Sequence, residues 1–384
     1  MSAGMSVMAR RSVSALAAAT TVTLSAWFMV EGEAQQQSTL RAPAFQVDPA
    51  WPAVPNNWVL GEVTSIAVDS RDHIWVLHRP RSIPAEKRAQ AAPPVLEFDT
   101  AGKLLGSWGG DGAGYEWPER EHGIFVDSKD FVWISGNAGW PRPATPGSGD
   151  DMILKFTTAG KFVLQIGHRG QSKGNTDTEN VHQPADTFVD SRANEIYVAD
   201  GYGDQRVVVF DTNTGKFKRM WGAFANTPTP EMAPNPPVPQ PQQPGTDGPP
   251  QFGLPHAVKV SNDGTVYVAD RINNRIQLFT AAGKYLRTVR VANDDAAVVP
   301  VPAGFSFSPD SKQQFLYVVD SGPMRVVVFD RETMSQIGAV GMRGANPGEF
   351  NIVHHMAADS KGNLYTAEIV TNRRAQRFVL QREK

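Results

Sequence analysis

An aromatic residue recurs six times along this chain, at Trp75, Trp133, Tyr197, Tyr267, Tyr317 and Tyr365, each inside a short β-type run. Recurrence of this kind marks one supersecondary unit repeated, with each copy needing its neighbours to bury its apolar face. The unit reads as strand, tight turn, strand, loop, strand, tight turn, strand. Asp69-Ser70, Asp127-Ser128, Asp190-Ser191, Asn262-Asp263-Gly264 and Ser360-Lys361-Gly362-Asn363 mark the first turn. Gly102-Lys103, Gly160-Lys161, Gly215-Lys216 and Gly283-Lys284 mark the second. Asp, Ser, Asn and Gly bond local amides or accept positive φ, so these carboxylates are assigned to turns and not to ligands. The pattern predicts an all-β, six-bladed β-propeller. The last repeat stops after Phe378-Val379-Leu380, one strand short, and Ala44 to Val47 is predicted to supply that strand and close the ring.

The N-terminal segment reads as an export signal over residues 1–34. Arg10 and Arg11 form a basic region, Val13 to Val30 is apolar, and Gly32-Glu33-Ala34 offers small residues for cleavage before Gln35. This predicts a periplasmic or secreted protein, exported by Sec or, given the twin arginine, by Tat; an uncleaved membrane anchor is the alternative. Residues 35–384 are then the propeller, with a proline-rich insertion at 226–250 expected to run extended. That insertion is either a passive surface loop or a lid. A net charge of −2 without basic clusters argues against a nucleic-acid partner. The absence of cysteine excludes thiolate metal sites, iron–sulfur clusters and cysteine nucleophiles.

His122, His256 and His354 each stand eleven residues before the recurring aromatic, and only in alternate repeats. In a closed six-fold ring they come to one height, roughly 120° apart, and three converging imidazoles form a metal site with room for a further ligand. Thr64 occupies the equivalent position in the first repeat, with Ala185 and Ala303 near it in the third and fifth. Because antiparallel strands alternate direction, all long connections fall on the face where the first strands begin, the end at which binding sites are built. The second strands end on that face with His78, Gly136, Asp200, Asp270, Asp320 and Glu368, followed by Arg79 in the first repeat and Arg271 in the fourth. Tyr202 follows Asp200-Gly201. Two arginines beside a metal suit a small anionic substrate or a peptide C-terminus, because guanidinium grips carboxylate with two prongs. The competing reading makes Asp270-Arg271 and its neighbours structural ion pairs. His355 adjoins a candidate ligand but points to the opposite side of its strand.

From about Val63 onward the chain resembles NHL-repeat six-bladed propellers, and among them the peptidyl-α-hydroxyglycine α-amidating lyases. The resemblance lies in His78-Arg79, His122-Gly123, Asp200-Gly201-Tyr202 with Arg206, Leu254-Pro255-His256, Ala269-Asp270-Arg271 with Arg275, and the stretch from Phe350 to His354. It implies that His122, His256 and His354 ligate zinc and that Arg79, Tyr202 and Arg271 are substrate and catalytic residues. It also implies a structural calcium, with Ile66 and Ile124 at the backbone-carbonyl positions; the aspartate position holds His355 here. The family's disulfides are absent, and Val353 replaces a proline. The implied reaction cleaves the C–N bond of an N-acyl-α-hydroxyglycine to an amide and glyoxylate. The alternatives are a lactonase-like metal-dependent hydrolase and a non-catalytic NHL binding module.

Overall fold

The computed structural model describes residues 38–139, 149–230, 246–295 and 297–382. The expected export signal therefore lies outside the described residues, as do residues 231–245 of the proline-rich insertion. Among the described residues no helix is long and apolar enough to cross a membrane.

Among the described residues, six four-stranded antiparallel sheets make up the fold, five of them built from consecutive strands. Blade 1 comprises Glu62–Val68, Ile74–Arg79, Val95–Phe98 and Leu104–Trp108. Blades 2 to 5 begin with the inner strands Glu121–Val126, Asp186–Asp190, Pro255–Val260 and Pro302–Phe307. Blade 6 begins with Val353–Ala358 and takes its outermost strand, Ala44–Asp48, from the other end of the chain. That strand pairs in register from Ala44 with Gln381 to Asp48 with Arg377, so the ring closes as predicted. Inner strands pack against their neighbours around the whole circle, including blade 6 against blade 1.

The recurring aromatics lie on the second strand of each blade and are buried between blades. Trp75, for example, packs with Ile124 and Val132 of blade 2. Several of these rings are held at their polar tips as well. The indoles of Trp75 and Trp133 donate to Asp69 and Asp127, and the Tyr365 hydroxyl donates to Asp359. The same aspartates accept backbone N–H groups of their own turns, so the turn carboxylates are structural, as expected. Replacing such a buried Trp by Ala is expected to cost about 3–5 kcal/mol.

The acidic residues ending the second strands form structural ion pairs, as the competing reading of the sequence had it, although with other arginines. Asp200, Asp270, Asp320 and Glu368 accept the backbone N–H of His182, Gly253, Val301 and Asn351, just ahead of the inner strand of the same blade. Each also pairs with an arginine opening the third strand, namely Arg206, Arg275, Arg325 and Arg374. Those guanidiniums in turn bind loop carbonyls, such as Asn180, Gln251, Ala292 and Glu349. A carboxylate–arginine unit thus pins the long loops of four blades. Asp270 pairs with Arg275 and leaves Arg271 to another role.

Candidate metal centre

The inner strand of every histidine-bearing blade breaks its register at the histidine. Pairing skips between Glu121 and Gly123, between Pro255 and Ala257, and between Val353 and His355. A bulge re-aims the side chain at the extra residue, here toward the axis. The same bulge occurs at Thr64 and Ala303 in the odd blades. All three imidazoles are buried, and their ring centroids form a near-equilateral triangle with sides of 5.2, 4.8 and 4.9 Å. One nitrogen of each lies within 4.8 Å of the others, a group that could hold a metal ion.

The odd blades supply what orients them. Nδ1 of His122 meets the carbonyl of Ala185 at 2.7 Å, Nδ1 of His256 that of Ala303 at 2.6 Å, and Nδ1 of His354 that of Thr64 at 2.6 Å. A carbonyl can only accept, so each Nδ1 carries the proton and each Nε2 presents a lone pair to the centre. Burial pushes all three imidazoles well below their ordinary range. Charge adds to this, from His354, His256 and Arg79 on His122, and from Arg271 on both His256 and His354. The rings are therefore neutral, the form that binds metal.

Tyr202 enters from the end of blade 3's second strand. Its hydroxyl lies 3.0 Å from Nε2 of both His122 and His256, and Arg271 Nη1 donates to it at 3.3 Å. One phenolic proton cannot serve two lone pairs at once, with a third imidazole beside them. A set of converging neutral nitrogen donors of this kind fits a zinc-like cation.

Arg79 lies close by but is already engaged. Its guanidinium donates to Glu62 at 2.6 Å, the Glu121 carbonyl at 2.7 Å and Asn137 at 3.1 Å, tying blade 1 to blade 2. It is buried, whereas Arg271 is half-buried. Sequence reading missed Glu62 and Asn137, whose distance along the chain from Arg79 conceals the contact. It also missed the carbonyl partners, although Thr64, Ala185 and Ala303 were already marked by the phase of the repeat. His73 sits in the rear turn of blade 1 with its Nδ1 2.7 Å from Glu97.

The other expected cation fits poorly. Ile66 and Ile124 line a cavity toward the rear of the axis together with the Lys259 ammonium and the His355 imidazole. Two nitrogen groups, one of them a fixed positive charge, are the wrong company for calcium, which takes oxygen ligands.

Residues 252–279 match the NHL repeat, a span covering most of blade 4 and including His256 and Arg271. The chain thus carries an NHL repeat in blade 4 and folds as a six-bladed propeller. It is 27% identical to NHL repeat-containing protein 3 of Mus musculus, over 85% of this chain and 82% of that protein. It is 24% identical to peptidyl-glycine alpha-amidating monooxygenase B of Xenopus laevis, over 85% of this chain but only 34% of that protein. The propeller thus spans about a third of the amidating monooxygenase it matches. A probable peptidyl-alpha-hydroxyglycine alpha-amidating lyase of Caenorhabditis elegans is 24% identical, over 58% of this chain and 56% of that protein. Among solved structures, the WD40 propeller domain of Doa1 aligns with a TM-score of 0.50 at 12% identity, covering 88% of this chain and 98% of that domain. At that identity it supports the fold alone.

Proposed function

We propose that this NHL-repeat propeller is a zinc-dependent lyase that cleaves N-acyl-α-hydroxyglycine-type carbinolamides to an amide and glyoxylate. The observation that carries the reading is the Tyr202 hydroxyl, placed against two of three converging neutral imidazoles and against Arg271. Distant similarity to the amidating monooxygenases and to the probable lyase supports the reaction class.

Zinc held by Nε2 of His122, His256 and His354 would supply Lewis acidity toward a substrate oxygen. The protein's own residues account for the rest. Arg271 is the guanidinium free to grip the substrate carboxylate. Tyr202, acting in its phenolate form, takes the proton of the carbinol hydroxyl as general base. The electron pair left on that oxygen forms the aldehyde carbonyl as the C–N bond breaks. The departing amide nitrogen keeps the bond pair and receives the proton back from Tyr202, so one substrate yields one amide and one glyoxylate. Arg79 holds the blade 1–2 junction beside the histidines, and its charge helps to keep His122 and His354 neutral. The ligand set, imidazole instead of Asp, Asn and Glu, does not favour the lactonase alternative.

The substrate is thus a small anion or a peptide C-terminus bearing a hydroxyglycine. An exported location follows from the signal reading of residues 1–34 and belongs to the same proposal. The test is zinc-loaded protein assayed for glyoxylate release from a panel of N-acyl-α-hydroxyglycines. Release that is lost on chelation and restored by zinc is expected. Protein carrying stoichiometric zinc but inactive on every panel member would overturn the lyase reading.

A further inference from the structure

Behind the histidine layer, the tight-turn half of the axis carries charged groups that the proposed chemistry does not use. A cavity of about 320 Å³ opens there, walled by Ile66, Ile124, Phe125 and Phe305, with Lys259 and His355 also lining it. Asp186 of blade 3 is fully buried and is met from two other blades. Lys259 Nζ of blade 4 stands 3.0 Å from its Oδ2, and His355 Nε2 of blade 6 stands 3.3 Å from its Oδ1. The Val258 backbone N–H donates to Oδ2 as well, at 3.2 Å. The Lys259 ammonium further reaches the Thr187 carbonyl at 3.5 Å and lies 5.3 Å from the centre of the Phe125 ring. Carboxylate, carbonyl and aromatic face are the groups that stabilise a cation away from water.

We infer that this chain carries a built-in axial cation, the Lys259 ammonium, which joins blades 3 and 4 through Asp186, beside His355 of blade 6, and takes the place of a bound calcium. The reason is electrostatic. A divalent ion at Ile66 and Ile124 would share the cavity with a fixed ammonium, and the nearby carboxylate already has two partners. Unlike a bound ion, a lysine cannot be chelated and loses no translational freedom when it docks. The tie is independent of the lyase reading, since none of its members touches substrate in that scheme.

Thermal unfolding and metal analysis of the zinc-loaded full chain test this. The wild-type protein should retain no calcium, and millimolar calcium should leave its melting temperature unchanged. Lys259→Met strands a buried carboxylate and should lower the melting temperature by on the order of 5 °C or more. Removing both charges in Lys259→Met with Asp186→Asn should recover part of that loss, which also serves if the single variant does not fold. Stoichiometric calcium in the wild type, a calcium-dependent rise in its melting temperature, or a Lys259→Met protein as stable as the wild type would overturn the inference.

Discussion

Arg79 and Arg271 occupy the same register position on opposite blades, one residue past the end of the second strand's recurring pattern, yet they are held differently. In blade 4, Asp270 occupies the preceding position, caps Gly253 and engages Arg275, which leaves Arg271 directed at the Tyr202 hydroxyl. In blade 1 the preceding residue is His78. Its Nδ1 accepts the Gly61 N–H at 3.1 Å, and its Nε2 bonds the Pro93 carbonyl at 3.0 Å. A neutral imidazole thus stands in for the carboxylate, and Arg79 finds its anion in Glu62 instead. Equal position in a repeat therefore does not mean equal task. What decides the task of each arginine is whether its own blade already consumes its donors.

The largest test of this contrast is Tyr202→Phe, because Tyr202 contacts the blade 4 arginine and the histidines together. Turnover on an α-hydroxyglycine should fall by about 10²-fold or more, the usual range for losing a general base. Zinc content measured on the same sample should stay at the wild-type level, since three imidazoles remain. A variant that loses zinc along with activity would make Tyr202 a part of the metal's hold instead of a proton acceptor.

The ring and the histidine triad were legible because both depend on phase, and phase survives in a single sequence. Six aromatics count the blades, and histidines in alternate repeats must meet on an axis. The closing strand was legible for a similar reason, since a blade one strand short has an open edge that Ala44–Asp48 can fill. Contacts between blades were not legible. Nothing in sequence places Asn137 beside Arg79, or Lys259 and His355 on either side of Asp186, because those pairs depend on rotamers chosen across an interface. The bulges that turn His122, His256 and His354 inward were equally hidden, for a bulge inserts one residue without altering the residue types around it.

A second test uses acid. Burial holds the His78 imidazole down at about 4, against an ordinary value of 6.5. The unfolded chain therefore binds this proton at a higher pH than the folded one does. Stability from neutral His78 is fully present above about pH 6.5 and is lost as pH falls toward 4. At pH 5 the loss is roughly 2 kcal/mol. Denaturant unfolding at a series of pH values should show His78→Asn with a shallower slope than wild type between pH 5 and 6.5. The amide oxygen of Asn can still accept from Gly61 and does not protonate. The histidines of the metal centre titrate in the same sense in both proteins, so the difference between the slopes isolates blade 1. Identical slopes would mean that His78 does not do the work of a neutral cap.

The smallest effect separates the arginines directly. Arg271→Lys keeps the charge but loses the flat two-pronged grip on a carboxylate. A carboxylate held alike before and during bond breaking contributes to binding and not to the chemical step, so KM should rise about tenfold with kcat changing less. Arg79→Lys should show the reverse pattern. An ammonium cannot bridge Glu62, Asn137 and the Glu121 carbonyl with the geometry of a guanidinium, so the melting temperature should fall while KM moves little. Steady-state kinetics and thermal unfolding on the two variants, measured side by side with zinc content controlled, distinguish the roles. If Arg79→Lys raises KM and Arg271→Lys lowers the melting temperature, the assignments must be exchanged. The substrate carboxylate would then sit over blade 1, and Arg271 would serve only to fix the Tyr202 hydroxyl against the histidines.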